Sequence, residues 1–400
     1  MNYRNDKYGE PISILGYGCM RFSRKGPYID YDKAEREVLR AFELGVNYYD
    51  TAYLYPGSEE IVGKIFENNG IRDKVKIATK LPQYLMRNLN SVEKTFAEEL
   101  KRLRTDYIDY YLMHMFTDME EWDQLRAMGI EQWITDHKAD GSIKNIGFSY
   151  HGDSDMFIRI LDSYDWDFVQ IQYNYMDEHS QAGRRGLEAA QAKGIPVIIM
   201  EPLRGGRLVK LPKKAQERLK AYGHEKGRNY TAAELGLRWL WDQPAVTCVL
   251  SGMNSMEMVE ENCRIAETAE AGDFGEDEQK LTEDIRKIIK AREKVGCTGC
   301  RYCMPCPKGV DIPGVFHYYN MMYTDSRFEG MWKFIQNMGL RAEPGFANQC
   351  VACGRCEAHC PQHINIIEEL KRADRALRPA PLKPVIGLAG KFVTRKRKKK

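Results

Sequence analysis

Eight of the eleven cysteines lie between residues 297 and 360, in two short groups. The first is CTGCRYCMPCP, with Cys297, Cys300, Cys303 and Cys306; the second is CVACGRCEAHCP, with Cys350, Cys353, Cys356 and Cys360. The second group matches C-x2-C-x2-C-x3-C-P. At that spacing three thiolates take three corners of one iron–sulfur cubane, while the fourth cysteine, turned away by its proline, reaches another. By this logic Cys297, Cys300, Cys303 and Cys360 hold one 4Fe-4S cluster, and Cys350, Cys353, Cys356 and Cys306 hold a second. The first group is one residue short before its last cysteine, so the assignment of Cys306 rests on Pro307, which keeps the feature that redirects the chain. Tetrahedral zinc also accepts C-x2-C pairs, but it usually joins two separated pairs rather than four cysteines in one window. His359 and His363 read as bystanders, because the ligand count is complete without them. The chemistry implied is one-electron transfer.

A second set of reactive groups is spread over the first half of the chain. Asp50 closes the segment GVNYYDT, Tyr55 follows it, Lys80 closes KVKIATK, and His114 closes YIDYYLMH. These segments belong to a rhythm from residue 12 to about 268, in which short apolar runs alternate with amphipathic stretches of helical period. The candidate strands are ISILGYGCM, GVNYYDT, KVKIATK, YIDYYLMH, SIKNIGFS, FVQIQYN, IPVIIME and AVTCVLS. Between them, Lys33–Leu44, Ser91–Leu103, Glu120–Ala139, Gly186–Ala192 and Thr231–Asp242 can each present one apolar face. Eight such units in about 250 residues predict a (β/α)8 barrel rather than an open doubly wound sheet. No GxGxxG follows the first strand, which also argues against a dinucleotide-binding domain of the open-sheet type. Barrel catalysis sits at the C-terminal ends of the strands, where Asp50, Tyr55, Lys80 and His114 are predicted to converge.

At these residues, in DTAYLY, TK and YLMH, the sequence resembles the aldo-keto reductase family. The resemblance runs from about Ile12 to Ala266 and continues in GFS, QIQYN, EPLRGG and LSGMNSMEMVEEN; with the cysteine groups it resembles the subgroup carrying a C-terminal ferredoxin-type domain. It implies a catalytic tetrad of Asp50, Tyr55, Lys80 and His114. The chemistry is coherent. Carbonyl reduction needs a hydride, a proton donor and a stabilised developing alkoxide. Tyr55 would be the general acid and Lys80 would lower its pKa. Asp50 would hold Lys80, and His114 would orient the substrate oxygen.

For the cofactor, the resemblance implies NAD(P)H in a groove touching Gly18, Ser149, Gln170, Met200, Gly252, Glu261 and Asn262. Ser149 and Gln170 match the carboxamide contacts, but Tyr150 stands where asparagine is usual, and Met200 stands where a tyrosine commonly stacks. Gly252 and Met258 occupy positions where many members place cations for the 2′-phosphate of NADPH, which opens the groove to NADH or to a flavin. A flavin would also bridge a two-electron hydride and a one-electron cluster. Cys19 follows the first strand, and Met115 and Phe116 adjoin His114, suggesting an apolar substrate pocket; Cys19 itself reads more simply as a packing residue.

The rest bounds the class. At 400 residues the chain exceeds one ordinary core, and 43% hydrophobic with 29% charged content is that of a globular protein. The predicted organisation is a barrel over 1–275, a helical linker over 276–295, a mostly α-helical two-cluster domain over 296–376, and a basic, flexible tail over 377–400. Net charge is +3, but seven cations at Lys391 and Arg395 to Lys400 supply it, and without them the balance is −4. A nucleic-acid-coating surface is therefore not expected, although the tail could touch an acidic surface. No apolar run has the length of a membrane span and no secretory apolar region opens the chain, so a cytoplasmic location is expected. Clustered thiols in that setting point to metal rather than to disulfides. The expected function is iron–sulfur oxidoreduction: carbonyl or alcohol chemistry on a small molecule in the barrel, with electrons passed through the clusters to a ferredoxin- or flavodoxin-type partner. The rival reading is an electron-transfer or docking protein whose barrel binds a nucleotide without reducing carbonyls.

Overall fold

Short loops that end in a capping side chain set most of the helix starts in the first part of the chain. Asp30, Asn88, Asp118, Asp153, Thr231 and Ser255 each accept from a backbone N–H one turn into the following helix. Asn88 and Asp118 close full capping boxes with Ser91 and Glu121. Most of these helices lie between successive barrel strands, and the strand–helix repeat generates the barrel. The computed structural model describes residues 1–339, 341 and 343–379.

Eight strands close the barrel: β1 (Leu15–Gly18), β2 (Tyr48–Asp50), β3 (Lys76–Leu81), β4 (Ile108–Phe116), β5 (Ile143–Tyr150), β6 (Phe168–Gln172), β7 (Val197–Met200) and β8 (Val246–Ser251). Every neighbouring pair is parallel, and β8 returns to β1 through Val249–Leu15 and Ser251–Tyr17. All eight predicted strands are present, and the predicted fold class holds. Helices flank the strands around the outside, and a large core fills the space between the two layers. The expected helix Glu120–Ala139 is instead two helices, Met119–Ala127 and Ile130–Ala139. Gly129 lies between them at φ +90°, a left-handed turn that ends one helix and starts the next.

Inside the barrel a separate apolar layer stacks Tyr48, Ala78, Tyr110, Leu112, Phe168 and Ile198 with Cys248 and Leu250. Its lower end is closed by an N-terminal hairpin, Tyr3–Asn5 paired with Pro11–Ser13, whose Asp6 accepts from the Tyr110 hydroxyl at 2.6 Å. This hairpin was not foreseen, because strands of three residues carry too little pattern to read.

The chain divides into two compact units: Met1–Lys210 with Leu219–Thr282, and Leu211–Arg218 with the described residues from Glu283 onward. The division falls within the helix Glu276–Lys290. In the second unit, the helices Ile312–Thr324, Arg327–Phe334 and Ile366–Leu377 enclose a core of Val315, Phe316, Met338, Leu370 and neighbours. Buried Asn320 anchors the segment before the first cysteine group, accepting from Lys294 and Val295 N–H and donating to Val295 O. Leu377 and Arg378, assigned to the tail in sequence, are buried in this unit, and the Arg378 guanidinium lies over the Phe346 ring at 4.8 Å. The basic run lies outside the described residues. Among those described, no helix is long and apolar enough to cross a membrane.

The lumen leaves no room at Gly16. A Cβ there would stand 2.7 Å from Leu250 Cδ2, 2.9 Å from Cys248 Sγ and 3.2 Å from the Tyr48 ring. Gly16→Val is expected to destabilise the barrel by about 2 kcal/mol through overpacking. Differential scanning calorimetry checks this as a lower Tm for the barrel transition.

Candidate functional site

Alternation along the strands decides which side chains enter the lumen. On β2 the inward residues are Tyr48 and then Asp50; on β3 they are Ala78 and then Lys80; on β4, Leu112 and then His114. In each case the lower residue belongs to the apolar lumen layer, and the next one, two positions on, crowns it. On β5 and β6 the same rule brings Ser149 and Gln170 to the top, paired across the ladder.

Asp50, Lys80 and Gln170 are joined directly. The Lys80 ammonium donates to Asp50 Oδ1 at 2.6 Å and to the Thr51 carbonyl at 2.6 Å, and Gln170 Nε2 donates to Asp50 Oδ2 at 2.8 Å. Lys80 is 1% exposed and Asp50 4%, so the ion pair is shielded from water. Tyr55, in the loop after β2, is half-buried above them. The Lys80 Nζ lies 5.2 Å from its ring centroid, and His114 meets the ring edge-on at 6.1 Å. His114 is buried, and its Nδ1 has no partner. Burial, helped by the Lys80 charge and by His151, holds its pKa well below the usual imidazole range, so it is neutral.

One electrostatic expectation is not met. Lys80 spends its hydrogen bonds on Asp50 and Thr51, and the Tyr55 phenol is pushed up, first by burial and then by Asp50, Glu201 and Cys19. The cation that opposes this is Arg21. Arg21, exposed, follows the Gly18-Cys19-Met20 turn after β1. A Cβ placed on Gly205 would stand 2.7 Å from its Nη2, and one on Gly252 would stand 3.1 Å from its Cδ. The family resemblance places phosphate cations at the positions of Gly252 and Met258 and gives no signal at this one, yet the mouth of the groove holds an arginine.

The other groove residues separate into two groups. Ser149 Oγ accepts from Met115 N–H at 2.8 Å, and Met115 itself stands at φ +60°. Gly18 pairs with Asp50 across the ladder, and a Cβ on it would sit 3.5 Å from Gly252 N. Met200 ends β7, half-buried. These residues surround the lumen mouth. Asn262 is buried on the helix Met256–Thr268, where it donates to Ser251 Oγ at 3.0 Å, and Glu261 beside it is half-exposed; neither reaches the Asp50–Lys80 centre. Tyr150, at the asparagine position, faces outward against Phe148 and Phe157, fully buried, and its hydroxyl donates to Asp153 O at 2.7 Å. Strand alternation turns it away from the groove that Ser149 enters. Cys19 is buried beside the centre; burial first and then Asp50 push its thiol well up.

In the second unit the cysteines sort as the crossed spacing predicts. Cys297, Cys300, Cys303 and Cys360 border one cavity; Cys306, Cys350, Cys353 and Cys356 border another, with Cys303 between the two. Cys306 therefore falls with the second set despite its shortened spacing. Among the described residues, no three His, Cys, Asp or Glu side chains converge closely enough to hold a single metal ion. Each set of thiols encircles a space instead. The two loops share one backbone pattern. The residues flanking the second cysteine take left-handed conformations, Gly299 (φ +72°) and Arg301 (φ +65°) in one, Ala352 (φ +55°) and Gly354 (φ +75°) in the other. Holding non-glycine residues there costs on the order of 1 kcal/mol each and turns N–H groups inward, as anion-binding nests do. Ala352 N–H donates to Cys350 Sγ at 3.4 Å. Burial pushes the Cys297 thiol up to about 11, and the Gly299 N–H works against it. Six of the eight cysteines pack half-buried on the local core, while Cys300 and Cys353 are exposed.

Residues 14–273 match the family model of the Aldo/keto reductase family, and residues 296–365 match that of a 4Fe-4S dicluster domain. The chain belongs to the aldo/keto reductase family and carries a 4Fe-4S dicluster domain C-terminal to its barrel. It is similar to the Bacillus subtilis oxidoreductase YqkF, 27% identical over 71% of this chain and 93% of that protein. It is also similar to L-galactose dehydrogenase of Arabidopsis thaliana, 27% identical over 69% and 90%. Among solved structures, an aldo-keto reductase from Bacillus halodurans in its holo form superposes with a TM-score of 0.58 at 24% identity, covering 71% of this chain and 96% of its own. One from Klebsiella pneumoniae in complex with NADPH does so at 0.58 and 21%, covering 72% and 96%.

Behind the centre, on the outer side of β3 and β4, lies a buried carboxylate pair, Glu59 and Glu99, that no sequence periodicity marks. Thr79 donates to Glu59 Oε1 at 2.6 Å, Arg102 to Glu59 Oε2 at 3.2 Å, and Tyr111 to Glu99 Oε2 at 2.6 Å. Burial pushes Glu59 up to about 7, against the bonds from Thr79 and Arg102, and it also pushes Glu99 well up. Below the usual carboxylate pKa of about 4.3, both folded and unfolded chains carry the Glu59 proton. Between that value and about 7 only the folded chain does, so unfolding releases a proton and stability falls as pH rises through this window. Glu59→Gln, which keeps an acceptor for Thr79, is expected to make the fall in Tm between pH 5 and 7.5 shallower. Parallel slopes for the two proteins would contradict it.

Proposed function

We propose that this chain is an iron–sulfur oxidoreductase that interconverts a carbonyl and an alcohol on a small molecule at the barrel mouth, and carries single electrons through two 4Fe-4S clusters. The observation that carries the first half is the convergence of Tyr55 and His114 over the buried Lys80–Asp50 pair. The groove would hold a dihydronicotinamide beside Ser149 and Gln170, and the chemistry it would supply is a hydride for the carbonyl carbon. The groove fits such a cofactor: Ser149 and Gln170 offer polar side chains inside it, Gly18, Gly205 and Gly252 leave the backbone bare, and Arg21 offers a cation for phosphate.

The Tyr55 phenol, kept protonated by its surroundings, donates its proton to the carbonyl oxygen as negative charge develops there. The phenolate left behind faces the Lys80 ammonium, which Asp50 and Thr51 keep charged and fixed. His114 is neutral and has one proton. A buried N–H without an acceptor is the costlier defect, so the orphaned Nδ1 is the bare nitrogen and Nε2 carries the proton, available to the substrate oxygen. Gln170, bonded to Asp50, links the cofactor side of the groove to the ion pair.

For the second half, the crossed sorting of the cysteines around two cavities supports one cluster on Cys297, Cys300, Cys303 and Cys360, and another on Cys306, Cys350, Cys353 and Cys356. Ligation requires thiolates, so the raised thiols release protons as iron binds.

Tyr55→Phe keeps the ring that Lys80 and His114 touch and removes the proton. Carbonyl turnover with NADH or NADPH is expected to fall about 100-fold while nucleotide binding persists; an active Phe variant retires the assignment. Anaerobically purified protein is expected to contain about eight iron and eight acid-labile sulfide per chain, read by colorimetric assay. Stoichiometric zinc without iron would refute the cluster assignment.

A further inference from the structure

The two cysteine cavities differ in what surrounds them. The first is bordered by one charged side chain, Arg301, and by polar or apolar residues such as Thr298, Gln362 and Phe316. The second is bordered by Lys308, Arg355 and His359 and by no acidic side chain. Lys308 and Arg355 are exposed and have no hydrogen bond or ion pair among the described residues. The nearest acid in sequence, Glu357, is half-buried and accepts from Ile367 N–H at 2.8 Å. Glu368 and Glu369, on the helix beyond, pair with Lys371 and Arg372. Among the described residues, none pairs with either of the two cations.

The same rim exposes apolar surface. Val351 is 57% exposed and Tyr302 68% exposed, and both border the second cavity with Cys353, itself exposed. An apolar centre over the redox group with unpaired charge at its edge is the composition of a transient electron-transfer interface: the centre excludes water at the point of transfer, and the charge steers encounter. Around Cys300, exposed in the first set, the neighbours are Thr298, Pro361 and Gln362, without such a centre.

Resting on the two-cluster reading above, we propose that the face formed by Tyr302, Val351 and Cys353 with Lys308 and Arg355 is the port where the second cluster exchanges single electrons with a small acidic carrier protein. One electron leaves the reduced cluster through the Cys353 side and reduces the carrier by one electron. The cluster returns to its oxidised state, and no bond is made or broken in this chain. The electron enters the clusters from a one-electron donor, for which dithionite serves in the test.

Two explanations of the cations must be told apart, because they could instead serve only to offset the negative charge of the cluster. Charge-offset acts on any acceptor alike, whereas steering depends on the sign of the partner. The experiment uses full-length holoprotein, reduced with dithionite, desalted and mixed anaerobically in a stopped-flow with oxidised acidic flavodoxin or with basic cytochrome c. Cluster absorbance reports the rate. The rate with flavodoxin is expected to fall about tenfold on raising salt, and about tenfold in the Lys308→Glu, Arg355→Glu variant at low salt, while the rate with cytochrome c rises. Equal changes with both carriers, or none, would overturn the port. Iron and sulfide content is measured on every variant. A wild-type chain without iron overturns the two-cluster reading together with the port, whereas an iron-replete chain whose variants do not separate the carriers overturns the port alone. Val351→Ser, which leaves the charges untouched, is expected to slow flavodoxin at all salt concentrations; an unchanged rate would remove the apolar centre from the proposal.

Discussion

An ammonium group sealed inside a barrel keeps its charge only if an anion and directed acceptors replace the water it has lost, and Lys80 is in that position. At 1% exposure it has Asp50 and the Thr51 carbonyl, both at 2.6 Å, in place of hydration. The desolvation of such a pair amounts to several kcal/mol per ion, and removing one partner strands the other. The rest of the barrel top follows from it. Asp50 needs its second oxygen satisfied, and Gln170 reaches across from β6 to do so. His114 stands near a cation with no anion of its own, so it stays neutral. Tyr55 closes over the ammonium with its ring, although its hydroxyl does not bond to it. The pair is thus a constraint on folding before it is a device for chemistry, since four elements must arrive in register to bury it.

The lumen below supplies that register. Large rings from β2, β4 and β6 fill one layer, Tyr48, Tyr110 and Phe168, and Tyr48 with Leu250 and Cys248 of β8 leaves no width for a side chain at Gly16. Packing of this kind tolerates little sliding, because a shift of one residue turns every lumen side chain to the outside. Polar groups at the top are therefore placed by apolar groups underneath them. The cysteine-rich unit is organised on the opposite plan. Its thiols line the edge of a small core, and its loops hold residues in left-handed conformations beside the cysteines. On the proposed reading, the binding energy of the clusters is there part of the folding energy, as in other small metal domains.

These two plans explain what could be read in advance. The eight strands were legible because each is a run of β-branched and aromatic residues bounded by turn chemistry, and the crossed cysteine sorting was legible because ligand spacing is a local property of the chain. Alternation along a strand is also local, and it would have turned Tyr150 outward on paper had it been applied there. The contacts that escaped are those made between elements. Arg21 is a single cation after a short strand, and only the folded β7 and β8 loops show what it faces. The Glu59–Glu99 pair joins two helices to the outside of β3 and β4 through Thr79 and Tyr111, and its members are forty residues apart in sequence yet close in space. The Gly129 break was missed because a glycine in an amphipathic stretch is compatible with one helix or two, and its conformation decides.

Electron count links the two chemistries. A hydride moves two electrons at once, while a 4Fe-4S cluster takes one at a time, so a single cluster could not hold the pair that one alcohol oxidation releases. Two clusters in one domain hold a pair between them, one electron on each. On the proposed reading the duplication of the cysteine motif is then a matter of stoichiometry: supplied by a one-electron donor, the small unit can hold two electrons, as many as one hydride carries, and release them singly. Release one at a time favours a brief, repeated encounter over a lasting complex, because the carrier must leave and return for the second electron. A port of modest apolar area edged by unpaired cations suits that demand, since charge speeds arrival while a small contact area keeps departure fast.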